Sequence, residues 1–306
     1  MNTTWTAYGL AVALATLAVV PSKAAGTAGA QFLRVAASAR AVALGGATSA
    51  TSDDISSTVG NPAGLVNVKD LVFTASHNQG LVDTQHQFAA VATSFGDNNA
   101  VGLSVVRMNY GSIERYTAAD ARDGSFSAGS LAAGLTFATK MNDALSVGAT
   151  AKMVQEQIDG QSASSVAGDL GVALTAGGWN LGAAIQHLGG GLKFVQETSA
   201  LPTTARISAA RHLLDNHFMV AFEASKPRDS QVTLHGGAEY TMSSVLSLRG
   251  GYSVTPGNQA DLGGLVGLTG GVGLDLGRFT LDYGIAPFGD LGLSQRVSLS
   301  AHFARL

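Results

Sequence analysis

"SLAAGLTFAT", residues 130–139, reads with a period of two. Leu131, Ala133, Leu135 and Phe137 share one face, and Ala132, Gly134, Thr136 and Ala138 share the other. Side chains alternate across a β-strand, so this is a strand with one aliphatic side and one small or polar side. In "LSVGATAKM", residues 145–153, Leu145, Val147, Ala149, Ala151 and Met153 oppose Ser146, Gly148, Thr150 and Lys152. The alternation returns in "WNLGAAIQ", "FMVAFEAS", "VTLHGGAEY", "FTLDYGI" and "RVSLSAHF". About fourteen candidate strands result, the first at 71–77 and the last at 294–303. An even number is what a bacterial outer-membrane barrel requires.

The connections carry a second signal. Every second link is a tight turn: "GDNN" (96–99), "KMND" (140–143), "AGG" (176–178), "DNH" (215–217), "MSS" (242–244) and "LG" (276–277). The links between them are longer, above all 109–128 and 189–202. Short periplasmic turns alternating with long outer loops are expected of a transmembrane antiparallel β-barrel, whereas a soluble sandwich has no reason to sort its loops by parity. The arrangement predicts an all-β fold in the bacterial outer membrane with both termini periplasmic.

Composition agrees. The chain has 306 residues, 46% hydrophobic and only 13% charged, with 39 glycines; ordinary soluble domains carry about 25% charged residues. The longest apolar run, "AYGLAVALATLAVV" (7–20), is shorter than the roughly 20 residues a transmembrane helix needs. It reads as a signal-peptide core, with Ser22 and Ala24 placed for cleavage near Ala24. With no cysteine, disulfides, Cys-based zinc and an acylated cysteine are excluded. A net charge of −3 without a basic cluster argues against nucleic acid.

On the face opposite the aliphatic one sit Lys152, Asp169, Arg206, Glu223, Glu239, Arg249, Asp282 and Arg296, among many Gly, Ser and Thr residues. Charges at membrane depth are tolerable only toward a watery or self-paired interior, so these are predicted lumen charges. Glu239–Arg249 and Asp282–Arg296 are the expected pairs, with a structural role.

Before the first strand lie about 45 residues of small, polar and turn-forming sequence, with too little aliphatic content for a core of their own. Their expected place is inside the barrel as a hatch or plug. Gly45 and Gly46 suit a tight bend against the wall, and Asn61-Pro62 initiates a turn. The predicted organisation is a signal peptide at 1–24, a hatch at 25–68 and the barrel at 69–306.

"FLRVAASARAVALGGATSATSDDISSTVGNPAGL", residues 32–65, resembles the N-terminal signature of the PorV/PorQ family, which is related to FadL-type channels. The matching positions are Phe32-Leu33, Ala39-Arg40, Leu44-Gly45-Gly46-Ala47, Asp53-Asp54 and Asn61-Pro62-Ala63-Gly64. The stretch 279–303, "FTLDYGIAPFGDLGLSQRVSLSAHF", is similar to the family's closing hairpin, with "LPTTARIS", "GGAEY" and "LSLRGGY" matching in between. The chain departs from the pattern by continuing with "ARL" past Phe303 and by an aromatic content of only 7%, which makes thin interfacial girdles.

The resemblance implies a fourteen-stranded FadL-like barrel with a small hatch, embedded in outer-membrane lipid. It also implies a type IX secretion-like scaffold whose partners are secretion-system proteins or secreted cargo. The alternative is a FadL-like passive channel for hydrophobic small molecules. Inward faces of Gly, Ser, Thr and charge, rather than a greasy lining, favour the scaffold.

Enzyme signatures are missing. The seven histidines form no HExxH motif or i, i+4 pair, and there is no GxSxG or GxxxxGK[ST] stretch. The glycine-rich run 263–277 lacks the third glycine of a dinucleotide fingerprint and reads as strand glycines, placed where the wall meets the hatch. No enzymatic activity, metal or cofactor is expected.

Overall fold

The computed structural model describes residues 26–51, 54–256, 265–289 and 292–303. The expected signal peptide at 1–24 and Asp53 of the Asp-Asp pair lie outside the described residues.

The first half of the chain forms β1 (Leu71–Gln79), β2 (Gln85–Phe95), β3 (Asn99–Tyr116), β4 (Arg122–Lys140), β5 (Leu145–Ile158), β6 (Gln161–Ala176) and β7 (Trp179–Gly189), followed by a hairpin of β8 (Gly191–Phe194) and β9 (Glu197–Ala200). The second half forms β10 (Thr204–Leu213), β11 (Phe218–Pro227), β12 (Thr233–Thr241), β13 (Leu246–Val254), β14 (Leu268–Asp275), β15 (Phe279–Pro287) and β16 (Leu293–Phe303). All but β8 and β9 pair antiparallel with their neighbours into one closed fourteen-stranded barrel, sealed where β1 meets β16 in register Leu71↔Phe303 to Gln79↔Gln295. Closure leaves no unpaired edge, the condition for a sheet to sit in lipid.

Each of the fourteen sequence-read strands is a wall strand. The tight turns fall as expected between β2 and β3, β4 and β5, β6 and β7, β10 and β11, β12 and β13, and β14 and β15. The start of β1 and the end of β16 lie at this short-turn end.

Both long loops are more ordered than expected. Most of 109–128 is strand, because β3 and β4 run on past the barrel. Ile113 faces Phe126 there, and Arg115 lies 5.7 Å from the Phe126 ring centroid. Within 189–202, β8 and β9 form a hairpin whose Leu192 is fully buried against the N-terminal segment. Pairing with a distant segment is invisible to local periodicity.

The two faces separate cleanly. Leu103, Leu135, Met153, Val166, Phe222 and Leu299 stand exposed on the outside, while Ala100, Thr136, Ala138 and Ser298 are buried inside. Aromatic rings gather at the short-turn end, with centroid separations of 5.9 Å for Phe73–Phe303, 6.2 Å for Phe95–Phe137 and 6.5 Å for Phe218–Tyr240. Arg211 and Arg278 cover the Trp179 and Phe303 rings at the same end. Aromatic rings under cationic caps, Tyr240 and Trp179 with polar handles among them, suit a membrane–water boundary.

Candidate functional site in the barrel lumen

Residues 26–51 and 54–68 pack against the inner face of the wall as one short helix and three 3-10 stretches. The helix Ala39–Ala43 starts at Ser38, whose hydroxyl accepts from the Ala41 amide. The turn Ile55–Thr58 is capped by Asp54, and Pro62–Asn67 by Asn61 with Pro62 at its first position. Each cap satisfies an amide that the first turn leaves without a backbone partner. The fourth piece, Gln31–Arg34, has no side-chain cap. Gly45 and Gly46, at φ of 67° and 89°, make the bend that returns the chain from the helix.

Wall and segment meet through missing side chains. A Cβ on Gly148 would fall 2.5 Å from the Pro62 carbonyl carbon, on Gly237 2.6 Å from the Leu44 oxygen, and on Gly284 2.6 Å from the Ala39 oxygen. At Gly171 it would collide with Asn61 Oδ1, and at Gly182 with the Ser49 carbonyl. In the glycine-rich run, Gly271 faces Ala43 of the segment, while Gly273 leaves room for an ion pair between Arg249 and Asp282.

Polar tethers fix what the glycines admit. Asn61, fully buried, donates to the Ser49 and Val172 carbonyls, both at 3.0 Å, and accepts from the Ala63 amide at 3.2 Å. Pro62, Ala63 and Gly64 are buried beside it. Glu223 accepts from the Thr48 and Ser49 amides at 3.1 and 2.8 Å and pairs with Arg206 at 2.6 Å. Gln186 donates to the Val59 and Gly60 carbonyls and accepts from Arg206 Nε at 2.6 Å. His235 Nδ1 lies 2.7 Å from the Gly45 carbonyl.

The eight lumen charges sort into groups. Toward the short-turn end, Arg40 of the segment holds Glu239 by two bonds of 2.8 and 3.1 Å and Asp54 at 3.3 Å, while Arg249 joins Glu239 to Asp282. Deeper in the wall, Lys152 pairs with Asp169 at 2.6 Å and approaches His187 Nδ1 at 3.1 Å. His187 sits at φ 59° where the β6–β7 register slips, and its amide donates to Asp169.

The Glu239–Arg249 pair forms, but Asp282–Arg296 does not. Asp282 lies opposite Ser298 and Arg296 opposite Gly284, one inward step apart, so Asp282 turns to Arg249 through the gap at Gly273. Arg296, only 1% exposed, instead donates to the Ala36 carbonyl and meets His86 Nδ1 at 3.0 Å. No carboxylate among the described residues pairs with it, and its Nε is unpartnered there. A buried guanidinium without a counter-charge is costly and receptive to an anion.

Near the other end of the segment, Asp229 accepts from the Ala28 amide at 2.9 Å and from Gln31, with Arg34 3.9 Å away. Burial opposes the Asp229 charge, but the Ala28 amide and the Arg34 guanidinium outweigh it and hold the carboxyl below its usual range.

A cavity of about 390 Å³ lies on the long-loop side of the segment. Val35, Val42, Val106, Ala132 and Phe288 give it apolar walls, and Arg34, Lys152, Arg206 and Arg296 reach its surface. No carboxylate among the described residues lines it; Asp169 and Glu223 stand behind their cations. A second cavity of about 460 Å³ opens toward the short turns, beside Arg40, Glu239, Arg249 and Asp282. Ser56 borders both.

Periodicity placed Lys152, Asp169, Arg206 and Glu223 on the inward face. His86, His187, His235 and Gln186 also meet the lumen, and for His86 the phase that turns Phe88 and Ala90 inward is the legible signal.

No protein-family model matches the chain, and no curated protein sequence does. Solved structures do. The toluene transporter TodX of Pseudomonas putida superimposes with a TM-score of 0.68 at 13% identity, covering 87% of this chain and 98% of that one. The CymD monoaromatic hydrocarbon channel gives 0.66 at 12% identity, covering 89% and 98%. A FadL homologue of Pseudomonas aeruginosa gives 0.64 at 13% identity, covering 87% and 98%. They lend the PorV/PorQ resemblance and its secretion partners no support. At these identities the likeness is one of fold: the chain is a closed fourteen-stranded antiparallel barrel of the kind found in FadL-type outer-membrane transporters.

Proposed function

We propose that the protein is a passive outer-membrane channel for small, mainly hydrophobic molecules. Residues 26–68 would act as its hatch and the cavity of about 390 Å³ as the resting place of the cargo. The observation that carries this reading is the cavity lining, in which alkyl walls adjoin four cations, three paired to carboxylates that stand behind them and the fourth, Arg296, with no carboxylate partner among the described residues. Such a lining suits an amphipathic molecule whose polar or anionic end meets Arg296 while its hydrocarbon lies along Val106 and Ala132. That the similar barrels include a toluene transporter and a monoaromatic hydrocarbon channel supports a channel rather than an enzyme. The aromatic girdle and the loop parity support an orientation with the short turns and both termini in the periplasm.

Proteoliposomes test it. Uptake of toluene and of a medium-chain carboxylate should exceed that of protein-free vesicles, and Ala132→Trp, which fills the cavity from the buried face of β4, should abolish the excess. Uptake equal to that of empty vesicles would refute the channel.

A secretion scaffold is the second reading. The extended β3–β4 hairpin favours it, because it carries exposed Ile113 and Tyr116 beyond the wall. Copurification of a secreted protein that is lost on deleting 110–121 would support it.

A further inference from the structure

The outer surface of β1, β2 and β3 changes chemistry within one step of the register. Ala75, Ala89 and Val105 lie side by side on adjacent strands. Two residues closer to the long loops, His77, Gln87 and Arg107 lie side by side in the same way. Residues directly opposite on neighbouring strands stand about 5 Å apart, so these three polar side chains form one contiguous row. The next row is Gln79, Gln85 and Asn109, three carboxamides.

Beneath the row the wall is hollow. The two alanines are short where their neighbours are long, and Leu131, Val105, Val297 and Leu299 flank a groove of about 520 Å³. No carboxylate among the described residues lines it. Arg107 is exposed, and its side chain has no ion pair or hydrogen bond among the described residues.

Height fixes what surrounds it. From Asn99 at the short-turn end, β3 climbs eight residues to Arg107. A strand tilted by about 40° rises roughly 20 Å over that length, close to the ~25 Å of an outer-membrane apolar band. Arg107 therefore reaches the level at which hydrocarbon gives way to headgroups, on the long-loop side.

We propose that this face is a binding site for one phosphorylated lipid of the outer leaflet. The lipid phosphate sits on the Arg107 guanidinium, whose planar fork matches a phosphate in two parallel bonds. Gln87 and His77 supply further donors from the same row. An acyl chain lies in the groove over Ala75 and Ala89, between Leu131 and Leu299. A lone arginine at a membrane boundary needs only water; a hollow of about 520 Å³ directly below it distinguishes a site from a snorkelling side chain. The inference rests on the membrane placement proposed above and is independent of what the lumen carries.

Native mass spectrometry of the full-length protein, released from nanodiscs, reads the occupancy. The probes are diphosphoryl lipid A and the same lipid with its phosphates removed. The wild type should retain one phosphorylated lipid in about tenfold preference to the dephosphorylated form. Arg107→Gln should bring the two lipids to near equality. Ala89→Phe, which fills the groove and keeps Arg107, should lower retention of both about fivefold. Equal retention of the two lipids by the wild type overturns the proposal without recourse to any variant, as does unchanged preference in Arg107→Gln. Recovery of the protein in the soluble fraction would instead sink the membrane placement, so the two failures are told apart.

Discussion

Strand β4 and the turn at Asn61 show how differently the wall and its contents are specified. In β4, Leu131, Ala133 and Leu135 need only be apolar and alternate with small partners, because backbone pairing to β3 and β5 holds the strand. At Asn61, one side chain satisfies three backbone groups, two of them in the segment and one in the wall, and has no substitute nearby. The wall is redundant and the segment is not. Damage to the wall should therefore cost the fold, whereas damage to the segment should cost closure of the lumen while the barrel survives.

The largest contrast is between two neighbouring residues. Leu135→Arg puts a charge on the lipid face and should lose about 2–4 kcal/mol if the residue lies near the midplane, visible as failure to give the heat-modifiable gel species. Thr136→Arg points inward, where Thr136 is fully buried and lies 3.4 Å from the Thr58 carbonyl. It should insert normally but expose residues 45–64 to protease. Equal folding defects in the two variants would break the distinction.

Gly171→Leu comes next. The added side chain must enter the space of Asn61 and Pro62, an overpacking of about 1–3 kcal/mol or more that a well-paired wall can resist only by ejecting the turn. The expected result is an intact barrel with faster cutting near 61. A barrel that fails to assemble would mean that wall and segment fold as one unit.

Glu223→Gln should be milder. It keeps an acceptor for Thr48 and Ser49 but leaves Arg206 without its carboxylate, loosening 47–50 in hydrogen exchange while 61–64 stay protected.

Asp229→Asn should have the smallest effect, about a fivefold faster exchange at the Ala28 amide, from roughly 1 kcal/mol of weakened hydrogen bonding. Because folding depresses the Asp229 carboxyl, its contribution is complete above the ordinary carboxylate range near pH 4 and is lost as pH falls through the lower folded value. Acidification should therefore mimic Asp229→Asn at Ala28 and change nothing at Leu135.

The same contrast explains what the sequence disclosed. All fourteen strands were legible, since a period of two repeated between turns of fixed parity is a local and redundant signal. The inward direction of Lys152, Glu223 and Arg296 followed from that phase. Partners were legible only across a single hairpin, as for Glu239 and Arg249. Asp282 and Arg296 missed each other because one register step and the gap at Gly273 decide the choice, and neither is readable before strands are aligned. The β8–β9 hairpin escaped because Leu192 is buried by a segment some 160 residues away in sequence. The apolar part of the lumen was not legible for a related reason: the apolar walls of the cavity on the long-loop side come partly from Val35 and Val42 of the enclosed segment, which an inventory of wall faces leaves out.

Deleting residues 26–66 tests the central claim most directly. Planar-bilayer conductance of the truncated protein, beside the intact one, reports whether the segment closes a wall that stands without it. The expected result is a barrel that still inserts and shows the heat-modifiable species, with single-channel conductance raised several-fold and solutes admitted that the intact protein excludes. Unchanged conductance in a correctly inserted barrel would contradict it.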